Sequence, residues 1–205
     1  MTKGTLPIDV SRETIERLQD YVELLLKWNA KINLIGPATS SDVWGRHIND
    51  SAQIFALSPP SVRHWVDLGS GGGLPGLVVA IIGQAQAPDA RFTLIESDQR
   101  KAAFLLTVAR TLHLDRVTVL PERIELAPPQ GADIVSARAL APLPQLVAYV
   151  HRHLSQIGVA LLPKGRSYET ELAAARQDWH FDLTTHESQT DPMARVLEIK
   201  DISRA

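Results

Sequence analysis

The stretch Trp65–Gly76, WVDLGSGGGLPG, constrains this chain more than any other. A short apolar run leads into five glycines within eight residues, Gly69 to Gly76, and then into the apolar LVVAII of Leu77–Ile82. That order predicts a strand, a tight turn and a helix. Gly71 to Gly76 satisfies G-x-G-x-x-G, the fingerprint of a βαβ unit whose turn lets a ligand approach the backbone closely. Glu96 ends the next apolar stretch, twenty residues after Gly76, where a carboxylate accepts both hydroxyls of a ribose. Glycines, strand, helix and acid in register predict a site for a ribose-bearing ligand, against the plainer reading of a structural glycine turn.

Asp67, two residues before the first glycine, bears on which ligand. A pyrophosphate at a helix N-terminus is held by amide donors and repelled by a nearby carboxylate in a partly dehydrated cleft. S-adenosylmethionine has the same adenosine but carries an ammonium and a sulfonium, which a carboxylate attracts. The expectation is therefore S-adenosylmethionine rather than NAD, with Asp67, Gly69, Gly71, Gly73 and Glu96 around it.

The rest of the chain supplies the frame. HWVDL, RFTLIE, VTVL, DIVSA and VALLP alternate with helical stretches, which predicts parallel βαβ units, and FDLTTH and RVLEIK read as a closing antiparallel hairpin. The expected fold class is α/β, a mostly parallel seven-stranded sheet with helices on both faces, preceded by N-terminal helices. Ser11 caps the first of these, whose apolar stripe is Ile15, Leu18, Val22, Leu25 and Leu26; the second starts near Ser41 and carries Val43, Trp44, Ile48 and Phe55. SPPS, residues 58–61, reads as a linker, giving a helical extension over 1–60 and the sheet domain over 61–205. With 205 residues, 44% of them hydrophobic, the chain has enough for one good core. MTKGTLPIDVSRETIERL lacks the apolar core of a signal peptide, and no run is long enough to cross a bilayer, so a soluble cytoplasmic protein without a membrane partner is expected.

Several separated motifs in order, WNAKINLIG, RHINDS, GSGGGLPG, ESDQRKAAFL, SARALAPL and LLPKG, resemble those of the RsmG (GidB) family of bacterial methyltransferases. The resemblance runs from about Tyr21 to Lys200. It implies a class I (Rossmann-like) methyltransferase fold, S-adenosylmethionine as cofactor, and methylation of guanine N7 in 16S ribosomal RNA, with that RNA or the small ribosomal subunit as partner. It also implies cofactor contacts at Gly69, Leu74, Ile124, Glu125 and Arg138. Two positions depart from the family: Arg138-Ala139-Leu140 stands where RAF is common, and Glu96 where Asp is common.

Guanine N7 carries a free lone pair and loses no proton on methylation, so no general base is expected and no catalytic residue is assigned beyond Arg138 as a candidate. With no cysteine, attack on cytosine C5 through a thiolate is excluded, and the Pro-Pro pairs lack the Asn/Asp-Pro-Pro-aromatic signature of exocyclic amine methylation. The formal net charge of −2 means that RNA contacts must come from a local patch. Its candidates are Arg46, His47, Arg100, Lys101 and Lys164, each with a plainer reading as a solvated or core-bonded side chain. His151 and His153 lack a third ligand and read as solvated rather than metal-binding, and Trp28, Trp44, Phe55 and Trp65 as core rather than base-stacking. No metal is expected, and no oligomer is required. Two other readings stay open: a methyltransferase acting on a small molecule or protein, and an NAD-dependent oxidoreductase. A noncatalytic RNA-binding module stands further off, having no use for the cofactor pocket.

Overall fold

The computed structural model describes residues 6–205; residues 1–5, the start of the stretch inspected for a signal sequence, lie outside the described residues. Ser11 caps helix α1 (Arg12–Asn29), its Oγ accepting the Thr14 amide at 3.2 Å. Leu18, Val22 and Leu25 are buried as the stripe predicts, joined by Tyr21, whereas Ile15 and Leu26 are half-buried at its edge. Asn29 Oδ1 then accepts the amides of Leu34 and Ile35 (2.9 and 3.0 Å), folding the chain back after the helix.

The expected helix from Ser41 is instead three pieces: a 3-10 turn (Pro37–Asp42), a wider π-helical turn (Trp44–Asn49) and helix α2 (Asp50–Ala56). Val43, Ile48 and Phe55 are buried there, and Phe55 stacks on Trp65 at 6.0 Å. Helix α3 (Gly76–Gln86) joins strand β1 (His64–Leu68) to β2 (Arg91–Ile95), α4 (Gln99–Thr111) joins β2 to β3 (Val117–Leu120), an irregular segment leads from β3 to β4 (Ala132–Ser136), and α5 (Leu143–His153) joins β4 to β5 (Leu154–Lys164). Helix α6 (Tyr168–Ala175) and the hairpin β6 (Trp179–Glu187) and β7 (Arg195–Arg204) follow.

The seven strands form one sheet in the order β3-β2-β1-β4-β5-β7-β6, parallel through β5, with β7 antiparallel to both its neighbours. Two-residue periodicity divides the core. Trp65, Phe92, Leu94, Ile134 and Leu161 face α1 to α4, while Val66, Ile95, Val135 and Leu162 face α5 and α6. Burial of both faces explains why β1 lacks the polar alternation of a surface strand. The β1, β2 and β4 strands all end on one side, and the strand order turns outward between β1 and β4, which is where open α/β sheets hold their ligands.

Candidate functional site

The glycine turn joins β1 to α3. Gly69 and Gly71 have φ of +64° and +52°, in the left-handed region that disfavours a side chain by roughly 1–2 kcal/mol. A Cβ on Gly69 would also lie 2.5 Å from Leu140 Cδ1, whereas one on Gly71 would meet nothing nearer than Gly69 O at 3.8 Å. The backbone at Gly71 therefore faces open space. The Ser70 amide donates to Ile95 O (3.1 Å), tying the turn to β2, and the Tyr21 hydroxyl of α1 donates to Gly72 O at 2.6 Å. Burial pushes the Tyr21 pKa well above its ordinary value, which keeps the hydroxyl a donor.

The two acids of the turn have different environments. Asp67 is only 1% exposed and lies beneath the turn. Its Oδ1 accepts the Ser136 hydroxyl (2.7 Å), whose oxygen in turn accepts Trp65 Nε1–H (2.9 Å), while Oδ2 has no hydrogen-bond partner among the described residues and lies against Gly76. Burial raises its pKa to about 6, against the opposing hydrogen bond of Ser136. Glu96 accepts from backbone on both oxygens, Oε2 from Gly71 N–H and Oε1 from Asp98 N–H, each at 2.8 Å. Each oxygen keeps a further lone pair.

Gly69, Gly71, Glu96, Lys101, Ile124 and Glu125 line one cleft of about 330 Å³, with Ile95, Leu140, Gln145 and Tyr149 completing its walls. Glu125 is paired with Arg123 at 2.6 Å; a backbone hydrogen bond first, and that arginine second, hold its carboxyl below the ordinary range. Leu74 is buried in the core, and neither it nor Gly73 or Asp67 is part of the cleft lining.

Arg138 borders a second cavity, of about 400 Å³, together with Arg46, Asp50, Lys164, Glu171 and Asp191. Its guanidinium is bonded three ways to the N-terminal segment: Nη1 donates to Asp50 Oδ2 (3.1 Å) and Arg46 O (3.2 Å), and Nη2 to His47 Nδ1 (3.0 Å). That last bond requires a bare Nδ1, so His47 is neutral and its Nε2–H donates to Thr39 Oγ1 at 2.8 Å. Burial, and then the Arg138 charge, lower the His47 pKa to about 4. Lys164 pairs with Glu171 at 2.5 Å and donates to Ala141 O. Burial alone would raise the Glu171 pKa, but Lys164 and the Leu143 amide outweigh it and hold it below the ordinary value. Arg46 stands 3.8 Å from Asp191. Arg100 is exposed at the start of α4 beside Asp98, and with Lys101 it borders a shallow groove that also includes Lys31.

The cleft and the cavity meet at Ala139, which lines both and has a left-handed φ of +51°. Arg138 on one side and Leu140, packed on Gly69, on the other hold that conformation. Tyr21, Asp50, Gln145 and Tyr149 were not singled out in the sequence, and Ala139 and Leu140 only as a departure from the family's RAF. Of these, only Tyr21 carries a local signal, lying three residues after Leu18 and four before Leu25 on the stripe of α1. The expectation of solvated histidines holds for His151 and fails for His153, which is wholly buried and donates from Nε2 to Ile124 O at 2.9 Å. Its helix end points into the protein, under the segment that follows β3. Among the described residues no group of three or more His, Asp or Glu side chains is placed to hold a metal ion, and no helix is long and apolar enough to cross a membrane.

Solved structures with this fold include a TehB-like SAM-dependent methyltransferase from Corynebacterium glutamicum, with TM-score 0.58, 14% identity, and coverage of 91% of this chain and 99% of that one. A SAM-dependent methyltransferase from Aquifex aeolicus is similar with TM-score 0.60, 11% identity, and coverage of 87% and 97%. The sheet is thus that of the class I methyltransferases. Sequence relatives are much nearer. A Cereibacter sphaeroides protein named Ribosomal RNA small subunit methyltransferase G is 53% identical over 193 residues, covering 94% of this chain and 92% of its own length. A Paracoccus denitrificans protein of the same name is 52% identical over 198 residues, covering 97% and 100%. Residues 14–195 match the GidB family, described as rRNA small subunit methyltransferase G, and with that match spanning most of the chain, the protein belongs to the GidB family.

Proposed function

We propose that this protein transfers the methyl group of S-adenosylmethionine to N7 of a guanine in 16S ribosomal RNA. The observation that carries the reading is the meeting of two cavities at Ala139: one is built on the glycine turn, and the other opens beside it at the ends of β4 and β5. A transferase needs two such pockets in contact, and a binding module does not. Family membership and the names of the relatives support the ribosomal RNA of the small subunit as substrate.

The cleft fits the cofactor on its own chemistry. Open backbone at Gly71, a carboxylate with spare lone pairs at Glu96, and the apolar side chains of Ile95, Ile124 and Leu140 suit a ribose and an adenine. In this reading Gly69 and Gly71 admit the ligand, Glu96 accepts from the ribose, and Ile124 and Glu125 flank the base. Gly73 and Leu74 shape the turn from behind. Asp67 acts from beneath, fixing β1 to β4 through Ser136 and placing a carboxylate under the turn. Arg138 fixes Ala139 at the junction, with His47 and Asp50 as its anchors. Arg46, Arg100, Lys101 and Lys164 border the surface offered to RNA.

When bound, the cofactor supplies an electrophilic methyl group on a sulfonium. Glu96, Ile124 and the glycine turn would hold it, and attack by the guanine N7 lone pair on that methyl would leave the positive charge on the base and the sulfur as a neutral thioether. No proton moves, so the protein's task is alignment, which can supply much of the acceleration. The test is a small-subunit RNA substrate carrying 7-deazaguanine at the target. RNA binding should persist and methylation should vanish; methylation of the deaza nucleotide would identify another acceptor atom and overturn the reading.

A further inference from the structure

We infer that Arg152 and His153, at the end of α5, are positioning residues that set cofactor affinity without touching the cofactor, by holding the chain segment that walls its cleft. The inference rests on the cofactor assignment above. The segment is Pro121–Ala127, between β3 and β4, and it has no regular structure. Its internal backbone bonds are few: Glu122 N–H to Leu120 O, and the Leu126 and Ala127 amides to Arg123 O, each at 2.9 Å. The carbonyls of Ile124 and Ala127 are met from outside, by α5. His153 Nε2 donates to Ile124 O at 2.9 Å, and Arg152 donates to Ala127 O twice, from Nε at 3.1 Å and Nη2 at 2.9 Å.

Two further observations indicate that this contact serves the cleft. Ile124, whose carbonyl is held, lines the cleft, as do Arg123 and Glu125 on either side of it. The same helix also supplies Gln145 and Tyr149 to the cleft lining, bonded to each other at 2.6 Å. Positions 145, 149 and 152–153 fall on one face at three- and four-residue steps, so a single helix builds one wall directly and braces another. His153 makes a poor general-purpose core residue. It is wholly buried, yet Nδ1 has no hydrogen-bond partner among the described residues, a cost that an aliphatic side chain would not carry. A carbonyl can only accept, so the retained imidazole has its hydrogen on Nε2, aimed at the cleft segment. Burial holds the His153 pKa below its ordinary value, consistent with a neutral ring in this role.

The experiment titrates S-adenosylhomocysteine, the stable product, into the full-length protein by calorimetry, and follows amide hydrogen exchange with the ligand absent. The variants are His153→Phe, His153→Gln and Arg152→Met. His153→Phe keeps the volume roughly and leaves the Ile124 carbonyl unpaired, which should weaken product binding about 10-fold. His153→Gln, whose side-chain amide can donate from nearly the same place as Nε2, should recover most of that loss. In His153→Phe, amides of residues 122–127 should exchange faster while those of the glycine turn do not, and KM for RNA should stay unchanged. A folded His153→Phe protein with unaltered affinity would overturn the inference, as would uniform acceleration of exchange without recovery by glutamine. If His153→Phe does not fold, Arg152→Met decides, because Arg152 is an exposed residue: unchanged affinity together with unchanged exchange over 122–127 refutes the bracing role. If the unsubstituted protein binds no product at all, the cofactor assignment fails, and the exchange data still report on the brace.

Discussion

Tyr21→Phe isolates the one polar bond, among the described residues, by which α1 holds the glycine turn. The ring is fully buried, and phenylalanine fills the same space, so apolar burial and packing hardly change and no cavity larger than an oxygen is made. What is lost is the 2.6 Å bond to Gly72 O, in a region closed by the side chain of Leu25 and by Leu34, whose Cδ1 and carbonyl oxygen respectively would each lie 3.3 Å from a Cβ on Gly72. Water has little room to replace the hydroxyl there. The cost should therefore exceed the net worth of an average hydrogen bond and approach that of an unpaired buried acceptor, about 1–2 kcal/mol. For a chain of this length that corresponds to a fall in Tm of roughly 2–8 °C. Urea unfolding should give a lower midpoint with unchanged slope, as expected when stability changes and the surface exposed on unfolding does not. Cofactor affinity should fall as well, because a turn released from α1 spends part of its time in conformations that do not bind. A variant with the original midpoint and the original affinity would refute the idea that the N-terminal helix organises the turn.

Glu96→Gln should weaken cofactor binding by about 1–3 kcal/mol, at least as much as Glu96→Ala. The Gly71 and Asp98 amides each need an acceptor, and a glutamine amide sets its NH2 against one of them; calorimetry giving full affinity for the glutamine variant would remove the carboxylate from its role. Acid should destabilise the fold between about pH 6.5 and 4, because His47, His64 and His153 all have lowered pKa values, so the unfolded chain binds more protons and the stability of the neutral rings is lost as pH falls. Asp67, raised to about 6, acts in the opposite sense: its stabilising contribution is complete below the unfolded pKa and lost as pH rises through 6. Asp67→Asn should accordingly steepen the acid destabilisation by up to about 3 kcal/mol over that window, and denaturation curves with an unaltered pH slope would show that Asp67 is not protonated near pH 6.

The parallel strands, α3 to α5 and the closing hairpin were legible because short apolar runs are punctuated by glycine, proline and polar turns, and run length separates strand from helix. Residues 37–56 were not. Val43, Trp44, Ile48 and Phe55 repeat closely enough to suggest one helix, but the chain widens at Trp44–Asn49, and the Arg46 carbonyl accepts from Arg138, a residue 92 positions away. No local pattern carries that demand. The contact between Glu96 and the glycine turn is confined to one βαβ unit, so their proximity is legible in the local sequence. The position of Asp67 was also available: side chains two apart in a strand share a face, so Asp67 follows Trp65 under α3 rather than into the cleft. Arg138 and His153 find their partners 29 to 92 residues away in sequence, and Lys164 bonds the Ala141 carbonyl, 23 residues back, as well as the nearby Glu171; composition does not encode these contacts.

Those partners change what the cations of the cavity beside Ala139 can do. Arg138, Lys164 and Arg46 each face a carboxylate on the same lining, Asp50, Glu171 and Asp191, so a phosphate arriving there must displace an ion pair already formed. Breaking a partly buried pair leaves one charge without its partner, and that cost offsets much of what the phosphate gains. Lys31 and Lys101 form no ion pair among the described residues and border the neighbouring groove, so counterion release on RNA binding falls more readily to them. Charge is thus divided between two places: Lys31 and Lys101 stand outside this cavity, and within it three cations are matched by carboxylates of the lining while Arg195 stands 3.8 Å from the exposed Glu187 off the lining. A cavity most of whose cations are already paired and fixed in position suits an uncharged heterocycle better than a phosphate. That is the arrangement needed when the group to be placed beside Ala139 is a base and its backbone must be held elsewhere.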